Sequence, residues 1–151
     1  MTQQTPDLPP GPASVCTAAK VRQLSRRVSQ IYDEALAAHG LTIGQFGLIA
    51  CLSRRKGLGI GGLAERLGAD ASTVSRLVRP LASAGLITIR TDPDDKRGRL
   101  VWLTDAGHQR RAAAQTGWQA AQDQMAQQLG HGRLAALRFL IDDAHERLEA
   151  L

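Results

Sequence analysis

The chain has 151 residues, 43% of them apolar and 22% charged, with 19 Lys and Arg against 14 Asp and Glu. That length supports one buried core rather than two ordinary domains, and the composition excludes a disordered or collagen-like chain. No run approaches the roughly 20 apolar residues of a membrane span, two cysteines are too few for a disulfide framework or zinc cluster, and the start MTQQTPDLPPGPAS lacks a secretory layout, so a cytoplasmic location is expected.

The positive charge is concentrated. Residues 54–99 carry ten Lys or Arg against five acids, while the remainder balances at nine against nine. The whole net charge of +5 therefore lies in one central segment, as a footprint for phosphates requires.

Residues 1–14 read as a disordered arm and 15–151 as a single domain. Val21, Leu24, Val28, Ile31 and Ala35 recur at helical spacing with Arg22, Arg26, Arg27 and Glu34 between them, which predicts an amphipathic helix. His39-Gly40 stops it, and Thr42 caps a second, mostly apolar helix through Phe46, Leu48, Ile49, Cys51 and Leu52. Cys51 reads as a small buried apolar side chain. GLGIG at 57–61 suits a very short strand or turn, and a short helix is expected over 62–67. After Gly68-Ala69-Asp70 another helix runs over 71–84, ending at Gly85 as a left-handed cap. Pro80 inside it removes one helical hydrogen bond and is expected to kink or loosen the second half.

LITIR at 86–90 alternates as a strand, TDPDDKRGR at 91–99 forms a polar tip, and LVWL at 100–103 pairs back as a hairpin. Thr104-Asp105 caps a long helix with Ala114, Trp118, Ala121 and Met125 on one face, which Gly130 ends. The last helix carries Leu134, Leu137, Ile141, Ala144 and Leu148 at the same spacing as the first. Such stripes cover either the chain's own core or a bundle shared by two chains. Two of them flanking a compact centre favour the shared bundle.

GLAERLGADASTVSRLV meets the requirements of a helix-turn-helix: Ala64 at the close crossing, Gly68 at the turn, Val74 facing inward, and Leu63, Leu67, Leu77 and Val78 completing the packing. Subtracting these leaves Ser72, Thr73, Ser75, Arg76 and Arg79 as the outward face of the second helix. Hydroxyls approach phosphates or base edges closely, and arginine makes the bidentate contact to guanine. The hairpin tip, with Lys96, Arg97 and Arg99, is a second contact suited to a minor groove. Asp92, Asp94 and Asp95 look misplaced there unless one aims an arginine, as Asp95 is spaced to do for Arg97; otherwise they only shape the turn.

DPDDKRGRLVWLT at 92–104, LAERLGADASTVSRLVRPLASAGLI and GLTIGQFGLIACL at 40–52 together resemble the MarR family of bacterial transcriptional regulators, over roughly residues 16–149. The fold so implied is mainly α with a small β-hairpin wing: a winged helix-turn-helix over 41–104 and dimerisation helices over 15–39 and 105–151. The resemblance further implies a cytoplasmic homodimer on double-stranded, palindromic DNA, with residues 71–84 in the major groove and Arg97, oriented by Asp95, in the minor groove. A repressor released by a small aromatic or phenolic effector is the implied function, with Tyr32, Phe46 and Trp118 as lining residues that alternatively serve only packing. A related branch senses organic peroxides through a reactive cysteine, which makes Cys16 a redox candidate. Aligning Tyr32 and Phe46 with that branch puts its cysteine opposite Ala18, about 200° round the helix from Cys16. No nucleophile–base set, metal-ligand cluster or phosphate-binding glycine loop is visible, so neither an enzyme nor a cofactor or metal site is expected; His39, His108, His131 and His145 are scattered. A protein-interaction module is the remaining rival, against which the clustered charge and wing arginine argue.

Overall fold

The computed structural model describes residues 15–150; the arm expected over 1–14 lies outside the described residues. In chain order the elements are α1 (Thr17–Leu36), a 3-10 turn (Ala37–His39), α2 (Ile43–Cys51), β1 (Leu58–Gly59), α3 (Ile60–Leu67), α4 (Ala71–Ser83), β2 (Ile87–Thr91), β3 (Arg99–Leu103), α5 (Asp105–Leu129) and α6 (His131–Glu149). The helical framework with a small antiparallel sheet is the fold class expected from the sequence.

Each helix begins and ends for a local reason. Thr42 and Gln45 form a reciprocal capping box at the start of α2: the Gln45 N–H donates to Thr42 Oγ1 and the Thr42 N–H to Gln45 Oε1. Gly40 and Gly68 hold left-handed φ values of 65° and 57°, ending the 3-10 turn and α3. Helix α3 starts two residues earlier than its glycines alone imply, because Ile60 and Leu63 pack inward and that burial outweighs the entropy cost of Gly61 and Gly62. Helix α4 runs through Pro80 to Ser83, so the expected loosening leaves no break. Pro80 lies on the exposed side and its own carbonyl accepts from the Ala84 N–H at 3.0 Å, so the turn that follows remains closed.

The core joins the end of α1, α2, α3, α4, the sheet and α5 around the buried side chains of Leu36, Leu48, Ile49, Leu63, Val74, Leu81 and Val101. Leu63 and Val74 are both fully buried, as a helix-turn-helix crossing demands. Cys51, expected to be buried, is half-buried at the end of α2, against the rim of this core. A smaller cluster of Ile31, Ala121, Met125 and Leu134 binds α1, α5 and α6.

The sheet order is β1-β3-β2, all antiparallel. Leu58 stands opposite Val101 and Ile87 opposite Leu103, so the apolar side of the wing's base faces the core while its tip extends outward. Two close approaches fix how α5 meets the rest. At Gly107 a β-carbon would collide with the Leu86 carbonyl oxygen, and at Gly117 with that of Ala35, so a bare backbone is needed at both crossings. Asp33 Oδ1 also accepts from the Ile43 N–H at 2.7 Å, and Arg110 donates to the His39 carbonyl at 2.9 Å. The N-terminal helix is thereby tied to α2, and the 3-10 turn that follows it to α5.

Candidate nucleic-acid interface

Helix α4 presents Ser72, Ser75, Arg76 and Arg79 to solvent and half-exposes Thr73, while Val74, Val78 and Leu81 are buried beneath them. The division follows from the 3.6-residue period applied to ASTVSRLVRPLAS. Arg79 and Ser75 share a groove of about 420 Å³ with Arg99 of the wing and Ile89 of β2. The structure thus brings members of both sequence-predicted groups, helix and wing, to one surface.

The start of α4 is more tightly organised than its sequence reveals. Asp70 is the N-cap: one carboxylate oxygen accepts from the Thr73 N–H at 2.7 Å and the Ser72 hydroxyl at 2.6 Å, the other from the Thr73 hydroxyl at 3.1 Å. These bonds, that from Ser72 foremost, hold the Asp70 carboxyl at about 2, below its ordinary 3.8. Ser75 Oγ donates to the Ala71 carbonyl at 2.8 Å, and Arg76 reaches Thr73 Oγ1 at 3.4 Å. The protons of the three hydroxyls are therefore spent on Asp70 and the helix backbone, which leaves the guanidinium groups of Arg76 and Arg79 as the strongest donors of this face. Asp70 was detectable as an Asp immediately before an amphipathic run.

In the wing, acids shape the turn. Asp92 accepts from the Asp94 N–H and Asp95 from the Arg97 N–H, both at 2.9 Å, while the Asp92 N–H donates to the Gly98 carbonyl at 3.1 Å. The expected pairing of Asp95 with the Arg97 side chain is replaced by this main-chain contact: a carboxylate two residues upstream meets the backbone N–H before it can reach a long side chain. Lys96 and Arg97 are exposed at the tip. Arg99 instead folds back, donating to the carbonyls of Gly98 and Lys96 at 3.2 and 3.4 Å. Arg90, not singled out from sequence, stacks its guanidinium 5.5 Å from the Trp102 ring centroid.

The base of the wing is pinned by Thr104. Its hydroxyl accepts from the Gly107 N–H at 3.0 Å as N-cap of α5 and donates to the Gly85 carbonyl at 2.7 Å, and its N–H donates to the Leu86 carbonyl at 3.2 Å. One residue thus joins the end of α4, the wing and α5.

The three aromatic candidates separate. Phe46 and Trp118 line one open concavity of about 680 Å³ between α2 and α5, together with Arg111. Tyr32 instead borders a different, apolar groove of about 470 Å³ between α1 and α6, with Val21, Leu24, Leu137 and Ile141. Tyr32 borders this groove with Val28 and Ser29 while also packing against the Ile31 cluster, on the side of α1 that faces α6. Burial pushes the Tyr32 phenol up, against the opposing pull of Arg138. Cys16 is exposed and occupies the N-cap of α1 without a side-chain cap bond. Among the described residues no group of three His, Cys, Asp or Glu gathers as a metal site, and no helix is long and apolar enough to cross a membrane.

A MarR family model matches residues 41–98, the segment from the start of α2 to the wing tip. The transcriptional regulator HosA of Escherichia coli O111:H- is 31% identical over 95 residues, 63% of this chain and 69% of that protein. The transcriptional activatory protein BadR of Rhodopseudomonas palustris is 28% identical over 91 residues, 58% of this chain and 52% of its own length; the chain spans about half the length of several curated relatives that it matches. The crystal structure of the Mycobacterium tuberculosis regulator MosR in complex with DNA superposes with a TM-score of 0.77 at 26% identity, covering 89% of this chain and 97% of that one. These relatives are regulators rather than enzymes. With the helix-turn-helix, the wing and the matched segment coinciding, the chain belongs to the MarR family.

Proposed function

We propose that the chain is a DNA-binding transcriptional repressor acting in the cytoplasm as a homodimer on a palindromic operator. The observation that carries this reading is the groove in which Ser75 and Arg79 of α4 meet Arg99 of the wing, with Arg76 exposed on the same helix and Lys96 and Arg97 exposed at the tip. Helix α4 fits a major groove, and the tip reaches an adjacent minor groove. Dimerisation is supported by apolar side chains left in water on the terminal helices: Val21 and Leu24 on α1, and Phe139, Leu140, Ile141 and Leu148 on α6. Two copies joined there would set half-sites about 34–36 Å apart. The concavity containing Phe46 and Trp118 lies between α2 of the DNA-binding lobe and α5, which suits a small aromatic or phenolic effector whose affinity differs between two lobe spacings.

The test is fluorescence anisotropy on duplexes selected by the purified protein, read at increasing salt. Affinity is expected to fall by about three decades between 50 and 200 mM salt if roughly six or more phosphates are contacted. A flat salt dependence refutes the DNA reading.

A further inference from the structure

Positive charge gathers at one more place. The run Ser53-Arg54-Arg55-Lys56 after α2 and the first turns of α5 enclose a concavity of about 390 Å³, lined by Leu52, Ser53, Arg54, Arg55, His108 and Arg111. The register puts it apart from the wing tip. Leu58 and Gly59 pair with Val101 and Leu100, so residues 53–57 continue toward Leu103 and Asp105, away from Lys96 and Arg97. The loop is anchored: the Leu103 N–H donates to the Ser53 carbonyl at 3.2 Å, and the Arg55 N–H to Ser53 Oγ at 3.0 Å.

Its charge is poorly compensated. Arg54 pairs with Asp105 at 2.8 Å, but among the described residues neither Arg55 nor Arg111 has a carboxylate within ion-pair distance. Arg111 is half-buried, with Nη1 donating to the carbonyls of Ile49 and Leu52 at 3.1 and 3.0 Å and Nη2 contacting His108 Nδ1 at 3.2 Å. Because a guanidinium only donates, this contact assigns the acceptor role to Nδ1 and the ring proton to Nε2. Arg111, partly desolvated and without a counter-charge, favours an anion beside it, the exposed Arg55 adds a second unpaired cation, and guanidinium forks match phosphate oxygens. An aromatic acid fits less well, since Leu52 is the one apolar side chain on this wall.

We propose that Arg54, Arg55 and Arg111 form a phosphate-binding site, separate from the α4–wing surface, that takes the phosphate group of an ester or a diphosphate. Its walls come from both the DNA-binding lobe and α5, so an occupant ties the two together. The phosphate belongs either to a small phosphorylated molecule or to a DNA backbone flanking the operator.

The experiment is isothermal titration of the full chain with inorganic pyrophosphate at constant ionic strength, for wild type, R55Q and R97Q. Losing one charge-assisted bond is expected to weaken pyrophosphate binding about tenfold or more in R55Q, with its melting temperature unchanged because Arg55 is exposed. R97Q is expected to bind pyrophosphate like the wild type. Unchanged binding in R55Q, or an equal loss in R97Q, overturns the site. Duplex titrations of R55Q then identify the source, each result supporting the site: unchanged duplex affinity assigns it to a free phosphorylated ligand, and weaker binding with a shallower salt slope to backbone phosphate. This test does not depend on the repressor reading.

Discussion

Replacing Thr104 by Val probes the joint on which the proposed function depends. The substitution keeps the β-branched shape but removes a hydroxyl that accepts from the Gly107 N–H at 3.0 Å and donates to the Gly85 carbonyl at 2.7 Å. Loss of a helix N-cap costs about 1 kcal/mol, and loss of a second hydrogen bond about 1 kcal/mol more. T104V should therefore lose roughly 2 kcal/mol, which lowers the midpoint of a domain this size by about 4–8 °C. Urea and thermal unfolding at one fixed protein concentration measure it, since self-association would otherwise shift the midpoint. T104S, which retains donor and acceptor, should recover most of the loss. A T104V protein within about 0.5 kcal/mol of wild type, the usual spread of inconsequential surface changes, would show that Thr104 is not what holds the wing base to α4 and α5.

Arg97→Ala, at the exposed tip, should weaken operator binding by about 1–3 kcal/mol, or roughly five- to 150-fold, with unfolding unchanged; equal affinity in anisotropy assays would remove Arg97 from the interface. Ile141→Glu places a charge in the apolar α1–α6 groove and should yield a monomer by light scattering, whereas an unaltered dimer would move the interface elsewhere. Asp70 is depressed to about 2 from 3.8, so its capping contribution is complete above about pH 4 and is lost as pH falls toward 2. D70N, which cannot titrate, should flatten that part of the stability–pH profile; a profile identical to wild type would refute the assigned linkage. Gly117→Ala should push α5 off α1 at the Ala35 carbonyl and lower stability, and crystals showing the same helix spacing would contradict the close-packing argument.

Much of this protein is determined by local pattern. The stripe on α1, the LAERLGADASTVSRLV spacing and the alternation in LITIR each follow from a period of 3.6 or 2 and need no distant residue. The outward face of α4 was legible for the same reason: once Val74 and Val78 are assigned to the core, Ser75, Arg76 and Arg79 can only face away. Competition between neighbours was not legible. Whether Asp95 serves a guanidinium or a backbone N–H, and whether Ser72 and Thr73 offer their protons outward or to Asp70, depends on which partner the folded backbone brings nearest. Long-range convergence was hidden too. Tyr32 left Phe46 and Trp118 because α1 and α2 border different grooves. Arg54 and Arg55 met His108 and Arg111 only because β1 docks beside β3 and returns the preceding loop to the start of α5. The sequence by itself determined the helices, the wing and the basic face, since each arises from adjacent residues; the tertiary structure alone decided which side chains share a cavity, since that depends on how separate elements pack.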